Sequence, residues 1–275
     1  MLEDILNQIV IENKQKGITS TVILNKLKEY IQYLILSLLY NNRDYQELVF
    51  KGGSCLRVCF NLPRLSEDLD FDYRKNKDRH KILNYLEKYL ASEIKNKYFF
   101  KLETKVQSDK RIYLKFPILH KLDLSSRSES DKLFAKIETS DKLEPYAKFS
   151  LTPVSQFGFN FIVNHYDLPS LMSGKINAIL NRLLFKGKKQ EIDIKGRDFY
   201  DLYWFFENKI VPNWKMLEKS TGIKNMMQLK IILKERIKKG VTEVKLNYDL
   251  RNFIADNEFV SRFSKNYTRI MMKYL

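Results

Sequence analysis

The spacing of apolar positions changes period twice along the chain, and those changes divide it. Over the first forty residues the spacing is helical. Ile5, Ile9 and Val10 share one face, Gly17 interrupts it, and a cap at Thr19 or Ser20 starts a longer helix through Leu24, Leu27, Ile31, Leu34, Ile35 and Leu38. The period then shortens to that of strands. Leu48, Val49 and Phe50 lead into the turn Gly52-Gly53-Ser54; a short helix over 55–60 ends before Pro63, and a second strand carries Asp68, Asp70 and Asp72. A third helix is predicted over 78–94, with Ile82, Leu83, Leu86 and Leu90 on one side. Strand-like runs follow at 98–106, 112–119, 133–139 and 157–163, with a polar loop at 125–130. After Leu168-Pro169-Ser170 the helical period returns and persists over about 171–185, 198–208, 213–220, 225–239 and 246–274, broken at Pro212, Gly222 and Gly240.

This order predicts an α+β protein: a mixed-sheet domain over residues 1–170, then an all-helical bundle over 171–275. A chain of 275 residues with 44% hydrophobic content is long enough to bury a real core in each. The most apolar stretch, 30–40, is short and interrupted by Gln32 and Ser37, so no membrane span is expected. The N-terminus is acidic and amphipathic and lacks the basic start of a signal peptide, so a cytoplasmic location is expected. The two cysteines, Cys55 and Cys59, are spaced i, i+4 on one short helix, where a disulfide is geometrically unfavourable. No histidine is near them in sequence, and they read as small buried side chains in a reducing compartment. His80, His120 and His165 are dispersed with no metal-ligand spacing, and there is no G-x-S-x-G elbow to suggest a hydrolase.

Charge adds a partner class. The net charge is +16. Residues 171–275 hold 22 Lys and Arg against 11 Asp and Glu, a surplus of +11, whereas residues 1–170 hold 27 against 22, a surplus of +5. A lysine-rich composition would not by itself sort basicity into the C-terminal part, and a polyanion such as RNA is the favoured partner.

The chemistry concentrates in one segment. Residues two apart on a strand point to the same face, so Asp68 and Asp70 converge, and two converging carboxylates call for a divalent cation between them. The Gly-Gly-Ser turn presents backbone N–H groups at a helix start, a ready site for an anion. A phosphate cradle beside metal-binding carboxylates is the equipment for nucleotidyl transfer. Asp68 and Asp70 are the expected ligands of Mg2+ or Mn2+, and Gly53 and Ser54 are expected to hold the β- and γ-phosphates of an NTP.

The segment FKGGSCLRVCFNLPRLSEDLDFDY, residues 50–73, resembles the active-site signature of the AbiEii/AbiGii-type nucleotidyltransferases, the toxins of bacterial abortive-infection toxin–antitoxin systems. Two later segments, KINAILNR at 175–182 and KGRDFYDLYWF at 195–205, are similar to the same family and follow in its order. The resemblance implies a DNA polymerase β-like nucleotidyltransferase core with a helical bundle behind it. It further implies that a third acid comes from a neighbouring strand; Glu138, in the alternating run Phe134-Ala-Lys-Ile-Glu-Thr, is the candidate for metal binding and for deprotonating the acceptor hydroxyl, with Asp72 left open as the other choice. By the same resemblance Lys175 binds the triphosphate, assisted by Arg182 two turns along the helix, and Asp198 or Asp201 orients a basic active-site group beside Arg197. Tyr200, Tyr203, Trp204 and Phe205 read as packing residues. The implied reaction carries a nucleotide from NTP to an RNA such as the 3′ end of a tRNA. A cognate antitoxin is implied as a separate chain, with no direct binding assumed. Two other functions share the sequence features: a transferase that modifies a small molecule or a protein, and a non-catalytic nucleic-acid binder on the same fold.

Overall fold

The structure is a computed structural model and describes residues 2–73, 79–182 and 193–275. The basic run Lys186, Lys188 and Lys189 lies outside the described residues, as do the end of the helix expected over 171–185 and the start of the one expected at 78. The described residues form ten helices and seven strands, an α+β architecture of two compact units. One unit comprises residues 1–143 and 149–165, the other 144–148 and 166–275.

In the first unit, α1 (Leu2–Gln15) and α2 (Ser20–Tyr40) precede β1 (Val49–Lys51), α3 (Gly52–Phe60) and β2 (Asp68–Asp72). Then come α4 (Arg79–Tyr98), β3 (Glu103–Gln107), β4 (Arg111–Pro117), β5 (Lys132–Ser140), β6 (Phe149–Gln156) and β7 (Phe159–Tyr166). The seven strands make one sheet in the order β3-β4-β5-β2-β1-β7-β6. It is mixed: β1 is antiparallel to β2 and parallel to β7, while β2 runs parallel to β5. Alternation sorts its side chains. Leu69, Phe71, Ile112, Leu114, Ala135 and Ile137 are buried in the core, as α2 packs on β5 and α4 on β3 and β4. Phe50 and Phe71 stack with ring centroids 5.2 Å apart. The intervening positions put Lys51, Asp70, Glu138 and Arg111 in one row across four strands.

Two sequence expectations change in this unit. The strand expected at 98–106 starts only at Glu103, because α4 continues to Tyr98. Strand β6 was not expected, because Pro153 lies within it; it is admissible because β6 is the sheet edge, where a missing N–H costs no ladder bond. Phe157 and Gly158, both at positive φ, turn the chain from β6 into β7.

The second unit is helical: α5 (Leu168–Asn181), α6 (Gly196–Glu207), α7 (Trp214–Thr221), α8 (Met226–Gly240), α9 (Glu243–Leu250) and α10 (Asn257–Met272). The single helix expected over 246–274 is two, separated at 251–256, with Asp256 capping α10 by accepting from the Phe259 N–H. Gly222 ends α7 in the left-handed conformation. Tyr200 and Tyr203 pack edge-on against Phe263, and Phe205 is fully buried, so these aromatics belong to the helical core.

Candidate active site

The strand–turn–helix at β1, α3 and β2 brings the first set of expected residues together. Gly52 has a φ of +79°, and a Cβ there would lie 2.3 Å from Asp70 Oδ2. Only glycine lets the backbone turn this tightly against the carboxylate. A Cβ on Gly53 would meet the Arg64 guanidinium at 2.7 Å. Arg64 is itself buried and donates from NH1 to the Leu65 carbonyl at 2.8 Å. Ser54 is fully buried and its hydroxyl donates to the Asp68 carbonyl, so the side chain ties α3 to β2. What the start of α3 offers an anion is its first-turn backbone N–H groups, which have no partner within the helix, and the dipole behind them.

Asp70 is paired in register with Glu138, and Asp68 with Lys136. The Lys136 ammonium lies 3.0 Å from Asp68 Oδ2 and 2.8 Å from Glu138 Oε1, and Arg111 Nε lies 2.9 Å from the same Glu138 oxygen. The side chains of Asp68 and Glu138 are each about one-third exposed, at 32% and 33%. Burial raises the Glu138 carboxyl, but Lys136 and Arg111 outweigh it and hold the group below its usual range. It stays ionised, which suits a cation ligand better than a proton acceptor. Asp72 has a different fate: its side chain is completely buried, with Lys51 Nζ 2.7 Å from Oδ1.

Hard carboxylate oxygens on neighbouring strands are the donor set a small divalent cation takes, and the Lys136 ammonium stands between two of them as a cation would. Asp68, Asp70 and Glu138 do not close into a three-ligand cluster. Among the described residues, the group whose ligand atoms all lie within 4.8 Å of one another is Cys55, Cys59 and His165. Like charges hold apart unless a cation stands among them, and here lysine and arginine serve that role.

The second set lies in the helical unit, where α5 and α6 pack together. Lys175 Nζ lies 2.8 Å from Asp198 Oδ1 and 2.7 Å from Asp201 Oδ2, with its side chain 12% exposed and those of the two acids at 4% and 0%. Arg182 NH1 reaches Asp198 Oδ2 at 2.8 Å. Burial pushes the Asp198 carboxyl up, but Lys175, Lys195 and Arg182 together overcome it and bring the group to about 2. Lys195 is pushed down to about 8, by burial first and by the neighbouring Arg197 next. Arg197 turns elsewhere: its backbone N–H donates to Asp249 at 2.9 Å, and its guanidinium lies 3.7 Å from the centre of the Phe253 ring.

Sequence reasoning gave no role to Lys136, Arg111, Lys51 or Arg64. Strand alternation does put Lys136 on the face of Glu138, and Arg64 lies inside the signature segment, but only the sheet register shows which acids the cations meet.

The nucleotidyl transferase AbiEii toxin family, of type IV toxin–antitoxin systems, has a family model that matches residues 35–275. No curated protein is matched significantly by the sequence. Among solved structures, the MenT4 nucleotidyltransferase toxin of Mycobacterium tuberculosis is similar over 97% of this chain and 89% of its own, at 15% identity and a TM-score of 0.53. JHP933 of Helicobacter pylori aligns over 91% of this chain and 93% of its own, at 19% identity and a TM-score of 0.47. The family match over most of the chain, with its signature placed on the carboxylate face of the sheet, means that the chain belongs to the AbiEii nucleotidyltransferase toxin family of type IV toxin–antitoxin systems.

Proposed function

We propose that this toxin transfers a nucleotide from an NTP to an RNA acceptor, such as the 3′ end of a tRNA, and that Asp68, Asp70 and Glu138 hold the divalent metal ion, Mg2+ or Mn2+, on which the reaction depends. The observation that carries the reading is the row of carboxylates on β2 and β5 with the Lys136 ammonium standing between Asp68 and Glu138. Complete burial of Asp72 against Lys51 supports Glu138 as the third acid. A bound divalent cation supplies charge neutralisation at the transferring phosphoryl group.

The protein's own residues do the rest by positioning. The start of α3, kept open by Gly52 and Gly53, offers backbone N–H groups to phosphate oxygens. Arg64 braces that turn from beneath Gly53. Lys175, fixed by Asp198 and Asp201, is assigned to the triphosphate, where a compact ammonium already ordered by two carboxylates loses little rotamer freedom on binding. Arg182 completes the nucleotide-binding set in this reading, and Arg197, held by Asp249, serves it indirectly by fixing the start of α6 that carries Asp198 and Asp201. The RNA acceptor is supported by the +11 surplus of residues 171–275.

The test is incubation with each labelled NTP, Mg2+ and total RNA, with the double variant Asp68→Ala/Asp70→Ala as control. Label entering RNA with wild type alone supports the reading. Label entering protein or a small molecule instead would move the function to the second kind of transferase, and no label in any fraction would leave a nucleic-acid binder. The antitoxin remains a separate partner of the system, with no binding surface assigned to it.

A further inference from the structure

The two cysteines that the sequence leaves inert meet a histidine in the fold. Cys55 and Cys59 sit one turn apart on α3, and His165 comes from β7, more than a hundred residues later. Their ligand atoms all lie within 4.8 Å of one another. Cys55 and His165 are completely buried, and Cys59 is half-buried at the edge of the group. Both cysteines are unbridged.

Three further features match a metal centre. His165 Nε2 lies 2.7 Å from Thr152 Oγ1, and the ring stands edge-on to Phe60 at 5.1 Å. An imidazole fixed through one nitrogen by a polar partner presents the other to a metal in a set orientation, the usual support for a ligating histidine. The donor set is two thiolates and one imidazole, which selects thiophilic or borderline cations and not the hard cation of the carboxylate face. Metal–ligand bonds of about 2.0–2.3 Å in a tetrahedron bring ligand atoms to roughly 3.5 Å of one another, so small rotamer adjustments close the observed cluster.

We propose that Cys55, Cys59 and His165 form a binding site for a thiophilic cation of the Zn2+ class, with water at the fourth position, that clamps α3 to β7. The cation displaces both thiol protons to the solvent, and no redox change is involved. The clamp secures the helix whose first turn, Gly52 to Ser54, builds the anion cradle. The site is independent of the carboxylate reading, since it shares no ligand with it.

The deciding experiment titrates the full-length, reduced, chelator-treated protein with Co2+ and then with Zn2+, in the presence of excess Mg2+. A thiolate-to-cobalt charge-transfer band that saturates at one equivalent, is bleached by Zn2+ and is accompanied by a higher Tm in Zn2+ is the expected result. Asp70→Ala should keep the band, since carboxylates do not produce it. Cys59→Ser, at the half-buried position and the variant most readily accommodated, should weaken Zn2+ binding at least tenfold. Absence of the band in folded wild-type protein, or a band unchanged in Cys59→Ser, overturns the proposal. If Cys59→Ser fails to fold, the wild-type titration still decides.

Discussion

Two clusters of opposite charges organise this protein, and they differ in what water can reach. On the sheet of the first unit, the side chains of Asp68, Lys136, Glu138 and Arg111 are 26–43% exposed, and cations stand between acids that would otherwise repel. In the helical unit, Lys175 is clasped by Asp198 and Asp201 with almost no exposure. The first arrangement can exchange one cation for another at little cost, because solvent screens each charge as its partner leaves. The second cannot, because removing one partner leaves an uncompensated charge in a low-dielectric interior. An exchangeable set suits the binding of a metal ion; a locked set suits holding one ammonium at one place.

The sharpest break of this contrast is at the exchangeable site. Asp68→Ala and Asp70→Ala should each reduce nucleotidyl transfer by about a thousandfold or more, as loss of charge stabilisation at a transferring group does, while the thermal midpoint stays level or rises slightly. Activity and melting measured on the same preparations check this. Transfer at the wild-type rate in either variant would remove the metal assignment.

Lys175→Ala should behave in the opposite sense, costing about 3–5 kcal/mol of stability in chemical denaturation, because two buried carboxylates lose their shared partner. If enough folded protein remains, NTP titration should show weaker binding with acceptor binding little changed. A variant with normal stability would show that the cluster is not locked, and equal NTP affinity would take Lys175 away from the triphosphate.

Gly52→Ala joins the two measures. A Cβ 2.3 Å from Asp70 Oδ2 at a φ of +79° forces the turn or the carboxylate to move. A loss of about 1–3 kcal/mol and a marked loss of transfer are expected together.

Acid sharpens the contrast further. Asp198 is held at about 2 against 3.8 in the unfolded chain. A depressed carboxylate stabilises the fold above the unfolded value, and that contribution is lost as pH falls through the folded one. Asp198 should therefore supply about 2 kcal/mol above pH ~4 that disappears between about pH 4 and pH 2. Denaturation midpoints of wild type and Asp198→Asn across that window should converge toward the acid end.

The smallest effect belongs to Lys136→Met. Its partners are part-exposed, so the stability change should stay below about 1 kcal/mol. A larger loss in denaturant would mean the carboxylate face is as locked as the helical cluster.

Much of this was legible in the chain because it depends on local periodicity. Period-2 spacing puts Asp68 and Asp70 on one strand face, and a Gly-Gly-Ser turn before an apolar helix marks the start of α3, whatever the rest of the fold. The α+β order and most helices are visible for the same reason. Strand β6 is not, since Pro153 within it argues against a strand, and the split between α9 and α10 is not, since no proline or glycine marks 251–256.

Pairings across distance belong to the tertiary structure alone. Sequence alone leaves Asp72 open beside Glu138, the favoured candidate, because Asp72 shares the strand face of Asp68 and Asp70. Register decides how they differ: β2 beside β5 puts Glu138 opposite Asp70, and β2 against β1 brings Lys51 to a buried Asp72. Likewise, Cys55 and Cys59 meet His165 only because β7 runs parallel to β1, at the foot of α3. Local sequence sets which way a side chain points; only the packing of distant segments sets what it meets, because that depends on loop paths and strand order that no short window encodes.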